Sequence, residues 1–453
     1  MAMKLPKLRN LRYLDLFTVF NWHDEKAKGR CCMLASAVLS TLVSDLTAGT
    51  LYTAFLTVNN FSIVDAGVIT FLPLIASCFS IFSPMILERF QKRRWVLAGG
   101  RLAYYIINIL GLTFLPYVIK DQGAKLFCFG AVVFIASLVN NLFTSGYSVW
   151  HLNFIPNSVR ARYLSYQQMI TALLSGVALI GSGLLADSLR GSPNEATVLT
   201  ILRLAGFCLA AADVTFLALP REYAYPHRES RIRLLNVFRL PFRNRKFVLT
   251  MGLIAFWTFL ANLPASSWTY YLLNTAHTGV TMINVLSFIY GFFLLILTPY
   301  WQRVLKHQSW FKTFAIAAFM NVPTVFASAF ISEGNCIWLY PLVRICQHAL
   351  GVGLNLTWAN FPYINTPRED QTYYMSFYFL MANLVAFFGQ FIGTLFIKGM
   401  NGQTVWLFGS ELTAVQLLVI VQGVLNLICA ILIIRFLPQL SPSPEEEDSP
   451  AVP

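Results

Sequence analysis

Four polar side chains recur on one helical face within the apolar stretch 337–359. Arg344, Gln347 and His348 are spaced i, i+3 and i+4, so a helix brings them to one face, and Asn355 follows His348 by one heptad. A guanidinium, an amide and an imidazole can together bind an anionic or hydrogen-bonding group of a small solute. The alternative is a structural role, which a lone histidine in an apolar helix usually has. The spacing predicts that this face lines a solute cavity.

Asp45 lies midway along the apolar stretch 31–57. An ionised carboxylate at membrane depth is costly unless it is protonated or paired. One interpretation is therefore a site for a proton or for the solute. The other is a structural partner of an arginine, with Arg101 and Arg344 as the two candidates.

Aromatic rings and amides in other apolar stretches extend this candidate site. Rings can cover the apolar faces of a sugar-like solute while amides reach its hydroxyl groups. A shift of 208 residues carries His348 onto Asn140, so both halves of the chain place a polar group at matching depth. The further candidates for substrate or coupling contacts are Asn140, Asn141, Trp257, Asn262 and Asn383.

The elements that must position these residues are apolar helices. Hydrophobic residues make up 57% of the 453 residues and charged residues only 12%, whereas soluble chains carry roughly 25% charge. Apolar runs of about 20 residues each match the length of a membrane-crossing helix. The sequence predicts an all-α polytopic membrane protein with twelve transmembrane helices, at 31–57, 64–87, 94–118, 126–150, 163–187, 196–219, 247–273, 281–300, 311–331, 337–359, 374–397 and 412–437.

The twelve segments fall into two similar halves. Pro84 and Trp95 bracket one turn, and Pro299 and Trp310 bracket another at the same separation, 215 residues further on. Parallel repeats of six helices imply an axis along the membrane normal and a cavity between the halves. The predicted organisation is an N-terminal segment 1–30, a six-helix half 31–219, a basic linker 220–246, a second half 247–437 and an acidic, disordered tail 438–453.

Lysine and arginine are distributed unevenly over the connections between segments. Of 33 in total, four lie in the odd-numbered connections, namely Lys120, Lys125, Arg190 and Lys398. Because basic residues accumulate on the cytoplasmic side, both termini and the linker are predicted to be cytoplasmic. Most of the net charge of +13 then comes from basic residues that orient the chain in the membrane. This explanation argues against a nucleic-acid partner.

The turn after the second segment carries the most specific resemblance. The stretch 84–94 reads PMILERFQKRR, which is similar to the Gly-x-Leu-Ala-Asp-Arg-x-Gly-Arg-Lys turn of the major facilitator superfamily. Pro84 and Gln91 occupy glycine places of that pattern. The resemblance implies a transporter of two six-helix halves that works by alternating access. It also implies a conformational-switch turn formed by Glu88, Arg89, Lys92, Arg93 and Arg94.

These patterns together predict a secondary active transporter of a small organic solute, with a sugar-like or other small polar metabolite favoured. Drug or amphipathic-compound efflux is one alternative, and a membrane solute sensor or scaffold without transport is another. The expected partners are the solute and the lipid bilayer, with proton coupling left open, and the chain is expected to be a monomer in the plasma (or inner) membrane. No catalytic constellation, cofactor motif or metal-ligand spacing occurs among the eight cysteines or elsewhere, so the chain is not expected to be an enzyme.

Overall fold

The computed structural model describes residues 20, 25–87, 89–90, 92–155, 157–222, 234–358, 360–361, 364–366, 371–407 and 409–440. The fold is almost entirely helical. The helices of the first half are α1 (Glu25–Thr47), α2 (Gly49–Val58), α3 (Ile63–Cys78), α4 (Ser83–Leu87), α5 (Arg94–Tyr105), α6 (Leu112–Val118), α7 (Gln122–Leu152), α8 (Asn157–Ser188) and α9 (Glu195–Ala218). A 3-10 turn (Phe79–Phe82) joins α3 to α4, and a π-helical stretch (Ile106–Gly111) joins α5 to α6.

The second half follows α10 (Leu234–Arg239) and a 3-10 turn (Pro241–Arg243). Its helices are α11 (Arg245–Asn262), α12 (Ala265–Asn274), α13 (Val280–His307), α14 (Trp310–Ser328), α15 (Cys336–Trp358), α16 (Gln371–Met400) and α17 (Ala414–Leu440). Between α16 and α17 lies one antiparallel hairpin of β1 (Val405–Leu407) and β2 (Ser410–Leu412).

Within these described residues, eleven helical stretches are long and apolar enough to cross a membrane, which agrees with a polytopic all-α fold. The segment expected at 337–359 is α15, which is not among the eleven. Its 23 residues would span about 35 Å at 1.5 Å per residue. Its polar residues, among them Arg344, Gln347 and His348, make it less apolar than the others.

Two membrane-crossing helices are interrupted near their middle. The first breaks between α1 and α2 at Ala48, where Gly49 adopts a φ of +60°. A positive φ strains any residue with a Cβ atom, so glycine suits this position. The second breaks between α11 and α12, at Leu263 and Pro264, because proline cannot continue the helical hydrogen bonds. Gly49 and Pro264 are 215 residues apart, the same shift that relates the two halves of the sequence.

One buried core joins the two halves at a single end of the helices. Leu51, Phe55 and Phe61 of the first half pack there in one cluster with Tyr271 and Leu286 of the second. We call this the closed end; it carries the turns at 59–62, 189–194 and 275–279.

Hydrogen bonds also cross between the halves at the closed end. The carboxylate of Asp187 accepts the backbone N–H groups of Val280 and Thr281, both at 2.8 Å, so it caps the start of α13. Gly183 faces the Thr281 backbone, where an added Cβ atom would come within 2.9 Å. α8 and α13 therefore approach too closely for a larger residue.

At the opposite end each half keeps its own core. Leu87, Trp150 and Phe154 form one cluster within the first half. Phe247 and Phe361 belong to another cluster, whose buried members come from α10 and the second half and against which Ile81 of the first half also packs. The buried core that both halves share thus lies at the closed end.

Candidate functional site

A polar cavity of about 350 Å³ lies among the helices of the second half. It is surrounded by α11, α12, α14, α15 and α17. The break between α11 and α12 forms part of its wall, where Pro264 lines the cavity. The cavity is lined by Trp257, Ala261, Pro264, Ala265, Trp268, Asn321, Val325, Ser328, Arg344, Gln347, Val419, Gln422 and Asn426. The sequence predicted a cavity between the halves, whereas the lining of this one belongs to the second half alone.

Arg344 supplies the charge in this lining. Its Nη1 donates a hydrogen bond to Oε1 of Gln347 at 3.3 Å, and the hydroxyl of Tyr340 lies beside it. Its Nε is buried and has no acceptor. Among the described residues no carboxylate forms an ion pair with Arg344, so no acidic side chain there neutralises its charge.

The neighbouring polar groups are held by contacts around the cavity. Nε2 of Gln347 donates to the hydroxyl of Ser328 at 2.9 Å, which fixes the amide between α15 and α14. Asn426 of α17 is 2% exposed, and its Oδ1 lacks a donor among the described residues. Arg344 Nε and Asn426 Oδ1 are thus two buried polar atoms of lining residues that have no partner among the described residues.

Two tryptophan rings form apolar parts of the wall. Trp257 packs edge-on against Phe314 with centroids 4.8 Å apart. Trp268 stacks on Tyr271 at 5.5 Å. Because both rings are packed against other rings, they present fixed surfaces to the cavity.

The four polar residues predicted to share one face of α15 have two different surroundings in the structure. Nε2 of His348 lies 2.8 Å from the carbonyl oxygen of Leu286, and its ring packs against Tyr290. Asn355 donates to the hydroxyl of Tyr290. Gln347 and His348 are adjacent and so point about 100° apart around the helix. Arg344 and Gln347 therefore reach the cavity, while His348 and Asn355 face α13.

A second polar cavity, of about 260 Å³, lies within the first half. Arg101 lines this cavity, and its Nε forms an ion pair with Oδ2 of Asp213 at 2.7 Å. The hydroxyl of Tyr105 donates to the same carboxylate oxygen at 2.6 Å, and that of Ser36 donates to the other oxygen at 2.5 Å. Asp213 is completely buried. Sequence reasoning missed this pair, although two opposite charges at membrane depth were a signal that they neutralise each other.

Asp45 lies half-buried on α1, and its nearest polar neighbour is the Ser175 side chain of α8. Its Oδ2 has no hydrogen-bond partner. Among the described residues it forms no ion pair, and Arg101 is occupied by Asp213. The structure thus shows neither of the two arginine partners that the sequence left open.

Arg203 of α9 is buried, with 2% exposure, and has no carboxylate partner in the part of the chain that the structure describes. Its Nη1 donates to the carbonyl of Thr47 and its Nη2 to the carbonyl of Asn108, both at 3.0 Å, while Nε donates to the hydroxyl of Thr113 at 2.9 Å. Its guanidinium also lies over the ring of Phe55 at 4.7 Å. It satisfies carbonyl groups at the helix break and in the π-helical stretch, which the sequence did not reveal.

The predicted amides mostly bond within the protein. Asn141 donates to Ser137 O at 2.8 Å and Asn383 to Phe379 O at 2.9 Å, each on its own helix. Asn262 accepts from Nε2 of Gln390 at 3.0 Å, which links α11 to α16. The side chain of Asn140 is partly exposed on α7. None of these four lines either of the two cavities.

The predicted switch turn lies at the end opposite the closed end. Glu88 falls outside the described residues. Arg89 and Lys92 are exposed, and Nε of Arg93 donates to Phe90 O at 3.2 Å. Arg94 donates its backbone N–H to Glu222 and its Nη1 to Pro220 O, which ties the turn to the chain after α9.

Comparison with solved structures decides the architecture. A bacterial homologue of the iron transporter ferroportin in an inward-facing state matches with a TM-score of 0.69 at 12% identity, over 92% of this chain and 99% of that one. A D-xylose–proton symporter matches with a TM-score of 0.66 at 13% identity, over 91% and 98%. The nucleoside transporter NupG matches with a TM-score of 0.64 at 10% identity, over 91% and 99%.

This chain has the fold of multi-pass membrane transporters. No protein-family model matches it, and no curated protein does either. Membership of the major facilitator superfamily therefore stays a prediction from the turn at 84–94. Identities of 10 to 13% show the shared fold and leave the solute to be argued from this chain's own residues.

Proposed function

We propose that this protein is a secondary transporter that moves a small polar organic solute by alternating access. The observation that carries the proposal is the 350 Å³ cavity of the second half, a polar chamber at an interrupted membrane-crossing helix. Ligand pockets are typically about 300–1,000 Å³, with few polar groups placed among apolar ones. Arg344, Gln347 and Asn426 would orient the solute, and Trp257 and Trp268 would cover its apolar faces.

The way the halves are joined supports alternating access. One shared core closes one end, while separate cores occupy the other. Such an arrangement is the one expected of a transporter open at a single side. Opening the closed end would break the hydrogen bonds from Val280 and Thr281 to Asp187, and from Asn274 to Thr57. The charged turn at Arg89 would then make contacts that hold the other state.

Asp45 is our candidate for coupling transport to protons. Its unpartnered oxygen lies on α1 just before the helix break, where a change in the bend would alter its access to water. Protonation would remove the cost of a charge at that depth. Proton coupling is a separate proposal from transport, because a facilitator without coupling would use the same cavity.

The test is solute movement through the purified protein in proteoliposomes, with labelled monosaccharides, nucleosides, small carboxylates and amphipathic dyes. Thr57 and Asn274 are in contact across the closed end, with Asn274 Nδ2 3.0 Å from Thr57 Oγ1. A double variant, Thr57→Cys with Asn274→Cys, should lose flux when oxidised and regain it when reduced. Each single variant, in a background without native cysteines, serves as the control.

The outcomes separate the candidate functions. Flux of a polar solute that stops on cross-linking supports the proposal. Flux of the dyes alone would favour efflux of amphipathic compounds. Binding with no flux of any probe would contradict transport and favour a sensor or scaffold.

A further inference from the structure

Arg101, Arg203 and Arg344 lie well inside apolar helices of this chain, and the first two are satisfied by the protein. Arg101 pairs with Asp213 at 2.7 Å. Arg203 donates to two carbonyl groups and one hydroxyl group, and aromatic rings pack over it. A charge at membrane depth requires such partners. These two arginines therefore show what a structurally satisfied arginine looks like here.

Arg344 differs from both. Its guanidinium has only neutral partners, the amide of Gln347 at a long 3.3 Å and the hydroxyl of Tyr340, and its Nε is buried without an acceptor among the described residues. Within the described part of the chain it has no carboxylate partner. The other polar side chains of its cavity are neutral amides and a hydroxyl, so Arg344 is the charged residue among the thirteen that line it. The cavity therefore holds a net positive charge.

We propose that the transported solute carries a carboxylate that binds the guanidinium of Arg344; this rests on the proposed function. A carboxylate matches the planar fork of an arginine through two parallel hydrogen bonds. A neutral sugar would leave the charge of Arg344 uncompensated. The solute is thus an organic anion rather than a neutral polyol.

The other residues that line the cavity indicate which groups this anion carries besides its carboxylate. The rings of Trp257 and Trp268 suit a flat or apolar body. The amides of Asn321, Gln347 and Gln422 in the lining can hydrogen-bond a polar substituent on this body. The occupant we infer is a monocarboxylate with a planar apolar body and a hydrogen-bonding substituent.

The experiment compares pairs of nearly equal size and shape, in which a neutral amide replaces the carboxylate. Binding to the purified full-length protein in detergent is measured by calorimetry for benzoate and benzamide, 4-hydroxybenzoate and 4-hydroxybenzamide, and indole-3-acetate and indole-3-acetamide. At least one carboxylate should bind more tightly than its amide, by about tenfold or more. That preference should vanish in Arg344→Gln and be reduced in Arg344→Lys, which keeps the charge without the fork.

A matched control is Arg303→Gln, which removes an exposed arginine of α13 and should leave the preference unchanged. The unfolding temperature of ligand-free Arg344→Gln shows that the variant is folded. If no carboxylate is preferred over its amide, or if the preference survives in folded Arg344→Gln, the inference is wrong.

Flux measurements on the same pairs separate this inference from the proposed function. Flux of neutral solutes with no preference for carboxylates would overturn the inference and leave transport standing. Arg344-dependent binding of a carboxylate that never crosses the bilayer would overturn transport and leave the site standing.

Discussion

Nη1 of Arg203 donates to the carbonyl oxygen of Thr47 over 3.0 Å, at the residue where the first membrane-crossing helix breaks. Its Nη2 reaches the carbonyl of Asn108, inside the π-helical stretch. In a membrane, backbone groups freed by such irregularities must be satisfied within the protein. A single buried side chain of α9 thus supports irregular geometry in two neighbouring helices.

Replacing Arg203 should destabilise the protein. In Arg203→Met, the carbonyl groups of Thr47 and Asn108 lose their donor, and an unsatisfied buried acceptor costs about 1–3 kcal/mol. Arg203→Lys should fall between this variant and the native protein, because one ammonium group reaches fewer acceptors. Thermal unfolding in detergent measures the order, with exposed Arg303→Gln as the control. An Arg203→Met variant as stable as the native protein would contradict the bracing role.

The pair of Arg101 and Asp213 should behave as a coupled unit. Removing one member of a buried pair leaves an uncompensated charge, which costs about 3–5 kcal/mol. Asp213→Asn and Arg101→Gln should each lower the free energy of unfolding substantially. The double variant should lose less than the two losses added together, because no unpaired charge remains. Strictly additive losses would show that the two groups are energetically independent.

Asp45→Asn tests proton coupling. If Asp45 exchanges the coupling proton, the variant should lose uphill accumulation under an imposed pH gradient but keep exchange and downhill flux. Glu411→Gln, in the exposed hairpin at the closed end, should leave every transport mode intact. A structural Asp45 would instead lower thermal stability and all transport modes together. Uphill accumulation that survives in Asp45→Asn would rule out coupling through this residue.

Orientation in the membrane is predicted from charge alone. In a background without native cysteines, Gln403→Cys should react with an impermeant maleimide in intact cells, because its exposed side chain lies at the closed end. Arg243→Cys, which is exposed near the opposite end, should react after the membrane is permeabilised. The reverse pattern would invert the topology and place both termini outside.

Several features of this protein follow from properties that each helix carries by itself. Apolar length predicts the membrane-crossing helices, and eleven of the twelve expected segments meet that criterion among the described residues. The breaks at Gly49 and Pro264 follow from the conformations that glycine and proline allow. The placement of Arg344 beside Gln347 follows from the helical period. None of these depends on where a neighbouring helix lies.

The contacts between helices were decided by the tertiary structure. Asp213 is 112 residues from Arg101 in the sequence, and only the packing of α9 beside α5 brings them to 2.7 Å. His348 shares a predicted face with Arg344, yet it turns to Leu286 while Arg344 faces the cavity. The helical period fixes the angle between side chains of one helix, whereas the rotation of that helix against its neighbours fixes what each side chain meets. That rotation arises from packing over many residues, so the sequence pattern predicted which residues are polar, and the packing decided which of them remained without a partner.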